Sequence, residues 1–231
     1  MNPRRQSKIA RNRPKQSRSR ATVNAILEAT IRVLDREGYE AATTTRVAEV
    51  AGVSIGTLYQ YFSNRDAILD ALQDRELSRA WEFIEGALSE AHRYSERELA
   101  RKIILGLLEL YAAAPALHRV LVIEGLRVTP ADRVHAFDVR MVSAIRSFLS
   151  LGHLRVRRGN LDAAAFVIFQ SVRAVMLARL LETPANLDDE TLVEELTDLL
   201  VRYLVDESGR TAEQTREQTS GRDRPMRALS R

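Results

Sequence analysis

The 231-residue chain contains no cysteine, six prolines and one tryptophan. The absence of cysteine excludes a disulfide framework, a thiolate nucleophile and a cysteine-based zinc site. No apolar run approaches the roughly eighteen residues of a membrane-spanning helix, so we expect no contact with a membrane. The basic N-terminus is not followed by the apolar segment and small-residue cleavage site of a secretory signal. We therefore expect a cytoplasmic protein.

Patterns of catalytic residues are also missing. The sequence has no glycine-rich phosphate loop, no GxSxG and no HExxH. The four histidines, His92, His118, His135 and His153, are scattered, with no pair at helical spacing. We therefore predict that the protein is not an enzyme, with no catalytic residues, no metal site and no cofactor.

Charge is distributed unevenly along the chain. Residues 1–20 contain eight Lys and Arg and no acid, whereas the remaining residues contain 27 Lys and Arg against 31 Asp and Glu. A basic arm on a mildly acidic globule is typical of nucleic-acid binders. The arm lacks periodicity and is predicted to be disordered when free. It can follow DNA phosphates or enter a minor groove, or it can be a solvated tail that adds only non-specific attraction.

Residues 43–62 read TTTRVAEVAGVSIGTLYQYF and contain two short helical patterns. Thr43 is a suitable N-cap for the first helix, Gly52 can end it in a left-handed conformation, and Ser54 can cap the second. Leu58 and Phe62 are four residues apart and are predicted to pack inward. This arrangement predicts a helix-turn-helix whose second helix can enter a DNA major groove.

The outward residues of the second helix carry no charge, which is unusual for a solvated helix. They are Ile55, Gly56, Thr57, Tyr59, Gln60 and Tyr61. Gly56 allows close approach of the backbone, the hydroxyl groups can donate to phosphates, and Gln60 can pair with a base edge. The alternative is an ordinary helical hairpin whose aromatic residues belong to a bundle core.

The segment AGVSIGTLYQYFSNRDAIL, preceded by Gly38 and TTTRVAEV, resembles the DNA-binding domain of the TetR family of bacterial transcriptional regulators. The resemblance runs from about Ala21 to about Leu72. It implies a three-helix DNA-binding domain, an all-helical domain behind it that senses a ligand and dimerises, and usually repression.

Individual positions can be matched to the family as well. Thr43, Thr44 and Thr45 then open the helix that crosses the DNA backbone, and the recognition helix is formed by Ile55, Gly56, Thr57, Tyr59, Gln60 and Tyr61. Ser54, its N-cap, is also predicted to contact DNA. Arg65 stands where the family usually has a phosphate-binding lysine. Ile55 stands where the family often has a basic residue, which implies apolar base contacts, for example with a thymine methyl group.

Beyond residue 77 the sequence pattern is helical throughout, with no alternation typical of strands. Helix starts are predicted at the Ser95–Glu98 capping box, at Thr129–Pro130, at Asn160 and at Asp188. The predicted fold class is all-α. The predicted division is a disordered basic arm (1–20), a helix-turn-helix domain (21–75), a helical effector-binding and dimerisation domain (76–207) and a disordered tail (208–231).

The last two predicted helices, at 160–182 and 188–205, are candidates for a homodimer interface. The first is apolar on almost every side, and the second has a wide apolar stripe. The resemblance implies that these helices pair with their symmetry mates in a four-helix bundle. An intramolecular bundle is the alternative. A two-fold dimer would read a palindrome with half-sites about one helical turn, roughly 34 Å, apart.

An effector pocket would lie among the helices of the second domain and be mostly apolar. Candidate residues are Trp81, Tyr111, His118, Phe148, Phe169, Gln170 and Arg173. Gln170 and Arg173 interrupt the most apolar helix, and they can equally fix the register of a dimer. Each aromatic residue can equally belong to the core.

The favoured hypothesis is a homodimeric repressor of a palindromic operator, released by a small, largely apolar effector. The alternative is an architectural or weakly specific DNA-binding protein driven by the basic arm. The sequence does not identify the effector or the operator.

Overall fold

The computed structural model describes the backbone of residues 4–152, 156, 159–181 and 187–205, and the side chains of these residues except 4–16, 126 and 128. The described residues form nine α-helices and one short 3-10 helix, Ala91–Arg93. The α-helices are α1 Arg4–Glu37, α2 Thr44–Ala51, α3 Ile55–Tyr59, α4 Arg65–Ser89, α5 Glu96–Ala112, α6 Pro115–Val128, α7 Ala131–Ser150, α8 Leu161–Leu181 and α9 Asp189–Leu204. In this part of the chain the only β-type pairing is a single bridge between Val156 and Val205, so the all-α prediction is confirmed.

The first four helices share one hydrophobic core. Its fully buried side chains include Ile26 of α1, Leu58 of α3 and Leu72 of α4. Helix α6 also contributes to this core, because Leu117 and Leu121 are buried in the same cluster. The core of the DNA-binding region therefore extends beyond the predicted boundary at residue 75.

A second core lies between α5, α7, α8 and α9. Its buried residues include Ile104, Phe148, Ile168 and Val193. Helix α4 reaches this region through Ile84, which is buried beside Met141 and Phe169. One helix thus runs from the first core into the second.

Most predicted helix starts are confirmed by cap geometry. Ser95 and Glu98 form a reciprocal capping box, the Asn160 side chain accepts from the amide of Ala163, and Asp188 accepts from the amide of Thr191. The prediction that Thr129 caps α7 is wrong. Thr129 is buried and forms the C-cap of α6, and Pro130 stands at the N-cap of α7 without a side-chain hydrogen bond.

The N-terminal segment differs from its prediction. Helix α1 begins at Arg4, whereas residues 1–20 were predicted to be disordered. Arg, Lys, Gln and Ala are good helix formers, and extending the existing helix at 21–37 avoids the cost of a new nucleus. The tail predicted from residue 208 onward lies outside the described residues.

Helix α8 corrects a second expectation. No apolar run of membrane-spanning length was expected, but α8 is long and apolar enough to cross a membrane. Within the chain, 39% of its most apolar window is buried. Two of its arginines pair with other helices: Arg173 with Asp138 of α7, and Arg179 with Asp189 of α9. These ion pairs and its buried side favour a core helix that also has an exposed apolar side.

Helices α5 and α9 are joined by ion pairs on the surface. Arg101 of α5 pairs with Glu190 and Glu194 of α9, at 2.6 and 2.9 Å. Arg97 pairs with Glu194 and Asp198. The hydrogen bonds from Arg101 and Arg97 lower the pKa of Glu194. Exposed ion pairs add little to the free energy of unfolding, so the network mainly fixes how the two helices align.

Gly106 of α5 permits a close contact with α4. A Cβ atom placed on Gly106 would lie 2.0 Å from the ring of Phe83. The ring occupies the space that a side chain would need, so the two helices approach more closely than any other residue would allow. Gly86 of α4, in contrast, has nothing within 4 Å of such a Cβ atom.

We predict that Gly106→Ala lowers the free energy of unfolding by about 1–2 kcal/mol, because the cost of overpacking exceeds the gain in helix propensity. Gly86→Ala is the matched control and should raise stability by about 0.5–1 kcal/mol. Urea denaturation of both variants measures the difference. Equal stability of the two variants would show that the Phe83 ring moves aside without cost.

Candidate DNA-binding surface and ligand cavity

The helix-turn-helix is fixed by caps at both helices. The Thr43 hydroxyl accepts from the amide of Arg46 at 3.2 Å, and the Ser54 hydroxyl accepts from the amide of Thr57 at 3.0 Å. Gly52 between the helices has φ 69°, a left-handed conformation that a side chain would strain. Each cap contributes about 1 kcal/mol, which matters for helices of eight and five residues.

The predicted recognition face is exposed. Leu58 is fully buried and Phe62 nearly so, whereas Tyr59, Ile55 and Tyr61 are 52%, 39% and 37% exposed. Large apolar side chains are rarely left in solvent at this density without a partner surface. Gly56 and Gln60 are exposed on the same turn, and Thr57 is half-buried, with its hydroxyl 2.8 Å from that of Ser54.

The recognition helix is shorter than predicted. Helix α3 ends at Tyr59, with Gln60 as its C-cap, instead of continuing to Phe62. The amides of Gln60 and Tyr61 donate to the carbonyls of Thr57 and Leu58, which tightens the chain into a turn. Gln60 and Tyr61 therefore extend from a turn, next to the helix.

A hydroxyl pair joins the two helices at this surface. The Thr44 and Tyr59 hydroxyl groups are 3.1 Å apart, within hydrogen-bonding distance. Thr45 is exposed beside them at the start of α2. Thr44 therefore fixes the position of the largest exposed side chain of α3.

The two arginines within residues 43–65 are both engaged by neighbours. Arg46 pairs with Glu37 at 2.8 Å and with Glu49 at 3.0 Å, and its hydrogen bond lowers the pKa of Glu37. The Arg65 guanidinium lies 4.1 Å from the ring centroid of Tyr39 and donates to the Tyr39 carbonyl. Tyr39 thus fixes Arg65 at the N-terminus of α4.

Helix α6 touches this region directly. Arg127, in its last turn, donates to both carboxylate oxygens of Asp66 at 3.1 and 3.2 Å and to the Tyr39 hydroxyl at 3.4 Å. Arg133 of α7 pairs with Asp70 and Asp74 of α4 at 2.8 and 3.0 Å. These contacts join the second domain to the residues around Arg65.

A cavity of about 170 Å³ lies in the second domain, lined by α4, α5, α7, α8, α9 and Val205. A cavity of about 150 Å³ in another protein holds benzene, so this space suits a small ligand. Its walls are almost entirely aliphatic and aromatic, including Ile84, Ile103, Met141 and Leu200. Glu96, Tyr111 and Arg173 are its ionisable lining residues.

Four of the seven predicted pocket residues line the cavity: Tyr111, Phe148, Phe169 and Arg173. Gln170 does not, although it is half-buried on the same helix as Arg173. Trp81 also lies outside the lining, where its ring stacks on the Arg140 guanidinium at 3.6 Å and its indole N–H donates to Glu85. Helical spacing assigned these residues to helices, but it could not show which side of α8 faces the cavity.

His118 lies behind the cavity wall. Its ring meets Tyr111 edge-on with a centroid distance of 4.8 Å, and its Nε2 is 3.8 Å from Oε2 of Glu76. Burial lowers the pKa of His118, although the nearby Glu76 carboxylate opposes that shift. The buried Glu76 is held by Arg79 at 3.0 Å and by Arg75 at 3.3 Å. His118 therefore connects a cavity residue to a charged cluster on α4.

Two family models match the chain over the two regions just described. A model of bacterial regulatory proteins of the tetR family matches residues 26–72, and a model of the tetracyclin repressor-like C-terminal domain matches residues 97–204. The chain belongs to the TetR family. It is accordingly a DNA-binding transcriptional regulator.

Similar sequences match this TetR-family chain only in part. An uncharacterised HTH-type transcriptional regulator of Bacillus subtilis, YvkB, is 35% identical over 66 residues, 29% of this chain and 35% of that protein. The HTH-type transcriptional repressor KstR of Mycolicibacterium smegmatis is 43% identical over 54 residues, 23% of this chain and 26% of that protein. The chain thus spans about a third or less of the length of these relatives.

Solved structures extend the likeness to the whole fold. The fatty acid degradation regulator FadR of Bacillus halodurans has a TM-score of 0.61 at 21% identity, covering 77% of this chain and 93% of that one. At this identity the comparison concerns the fold alone. This TetR-family chain and FadR therefore share a fold in which a helical second domain follows the helix-turn-helix.

Proposed function

We propose that the protein is a homodimeric repressor that binds a palindromic operator and is released by a small, largely apolar effector. The observation that carries the DNA-binding part is the exposed, uncharged surface of Ile55, Tyr59, Gln60 and Tyr61 around the buried Leu58. Tyr59 and Tyr61 can donate to phosphates, Gln60 can pair with a base edge, and Ile55 can meet a thymine methyl group. The name of a relative, a transcriptional repressor, supports repression.

The exposed side of α8 supports a dimer. Phe166 is 54% exposed, and exposed apolar residues recur along the same side of the helix at Ala163, Ala174, Ala178 and Leu181. Leu199 of α9 is also exposed. Contiguous apolar surface of this kind is typical of an interface. A second copy of the chain would cover it and place two recognition surfaces on a two-fold axis.

The cavity supports an effector that acts through α4 and α6. Helix α4 lines the cavity with Ile84 and places Leu72 in the DNA-binding core, while Leu117 of α6 lies in that same core. An effector that fits one arrangement of these helices better than another would shift the population between them. The distance between the two recognition surfaces would then no longer match the one helical turn that separates the half-sites of an operator. We place this activity in the cytoplasm, without a membrane, cofactor or enzymatic step.

The DNA-binding surface is tested on an operator obtained by selecting DNA with the full-length protein. Gln60→Ala should weaken operator binding by about 1–3 kcal/mol and relax selectivity at one base pair, because a base contact is lost. The combined change of Thr57, Tyr59 and Tyr61 to Ala should abolish binding. Glu109→Ala, at an exposed position of α5, is the control. Unchanged gel-shift titrations for the triple variant would disprove the proposed surface.

The dimer interface is tested by placing a charge on α8. Phe166→Glu should yield monomers in sedimentation velocity at micromolar concentration, because a buried unpaired carboxylate is costly. Ile123→Glu is the matched control on α6, where the side chain is 66% exposed. The control should sediment as the wild type does. If Phe166→Glu remains a dimer, the interface lies elsewhere.

The alternative, architectural function gives a separate prediction through the basic arm. When the logarithm of the DNA-binding constant is plotted against the logarithm of salt concentration, deleting residues 1–20 should make the slope shallower by about 0.9 for each lost phosphate contact. Selectivity for the operator over random DNA should persist, because the helix-turn-helix surface is intact. Loss of selectivity together with affinity would favour an architectural protein driven by the arm.

A further inference from the structure

The polar groups of the cavity restrict the chemistry of its ligand. We propose that the cavity selects an uncharged, mostly apolar molecule with a hydrogen-bond acceptor at one end, such as a ketone or an ester, held by Tyr111 and Arg173. This inference rests on the proposed function of the cavity as the effector site, and it adds the class of ligand.

The Tyr111 hydroxyl supplies an unused donor. Among the described residues it has no hydrogen-bond partner, although the side chain lines a cavity of apolar walls. Burial raises the pKa of Tyr111, against the opposing effect of the Arg173 charge, so the hydroxyl keeps its proton. A ligand carbonyl in the cavity would give this half-buried hydroxyl the acceptor that the protein does not supply.

Arg173 supplies further donors but little uncompensated charge. Its Nη1 donates to Oδ2 of Asp138 at 2.5 Å, and the two side chains are 38% and 22% exposed. A guanidinium has five N–H groups, so donors remain available after this contact. Because Asp138 already balances the positive charge, a neutral acceptor can be bound without breaking the ion pair.

Charged ligands meet opposition in the same place. A carboxylate would compete with Asp138 for Arg173 and place two carboxylates beside one guanidinium. An ammonium group beside Tyr111 would face the Arg173 guanidinium. Glu96, the cavity's carboxylate, lies fifteen residues before Tyr111 on α5, about 22 Å along the helix axis, and is too far away to pair with an ammonium group there. The apolar walls between these ends favour an alkyl or ring body.

The test uses the full-length protein and three probes with bodies of similar size: methyl hexyl ketone, octanoic acid and octylamine. At neutral pH the acid and the amine are ionised. Isothermal titration calorimetry should show the tightest binding for the ketone. Tyr111→Phe should weaken ketone binding about three- to tenfold, the effect of one buried hydrogen bond, and thermal melting checks that the variant is folded.

Asp138→Asn tests the role of charge balance. It leaves the Arg173 charge uncompensated, so the preference should move towards octanoic acid. Tighter binding of octanoic acid or octylamine by the wild type would overturn the ligand class and leave the site intact, as would unchanged ketone binding by Tyr111→Phe. If no probe binds, the ligand class and the proposed effector site in the cavity both fail, whereas the proposed DNA-binding and dimer surfaces are tested separately. The fluorescence anisotropy of a labelled operator, measured separately, shows whether a bound probe releases the protein from DNA.

Discussion

The burial of α4 in two separate cores is the constraint on which the rest of the structure depends. Its N-terminal half places Ile68, Leu69 and Leu72 in the DNA-binding core, and its C-terminal half places Ile84 beside the cavity. Helix α4 is a continuous helix of 25 residues without a proline that would kink it, so a displacement at one end is carried towards the other. Helix α6 also contacts the DNA-binding region, through Leu117 in its core and through Arg127, which pairs with Asp66.

The exposed surface of the recognition helix carries no free positive charge of its own. Arg46 and Arg65 are both held by neighbours, and the exposed residues of α3 are neutral. Phosphate attraction, which dominates non-specific affinity, would then come mainly from other parts of the chain, and the eight basic residues before Ala21 are the densest source. The neutral surface around Leu58 would contribute selectivity, because base edges are read by hydrogen bonds and apolar contacts.

Local signals predicted the local structure well, and long-range contacts were not predictable. Thr43, Gly52, Ser54, Ser95 and Asp188 act within three or four residues, so their caps could be derived from sequence. Periodicity placed Tyr111, Phe148, Phe169 and Arg173 in the right helices. It could not show that Leu117 packs against the DNA-binding core, or that Asp138 compensates Arg173, because these contacts join residues far apart in the chain. The length of α1 was missed because a polar helix has no apolar stripe.

The contact between Phe83 and Gly106 gives α4 a fulcrum. The ring sits against the backbone of α5 with no side chain between them, so the two helices are in close contact at this point. Arg65 lies eighteen residues away, about 27 Å along the axis of α4. On a lever arm of that length, a rotation of about 5° at the fulcrum moves Arg65 by about 2 Å. A small rotation would therefore be enough to displace the N-terminus of α4, and the DNA-binding core packed on it, relative to the second domain.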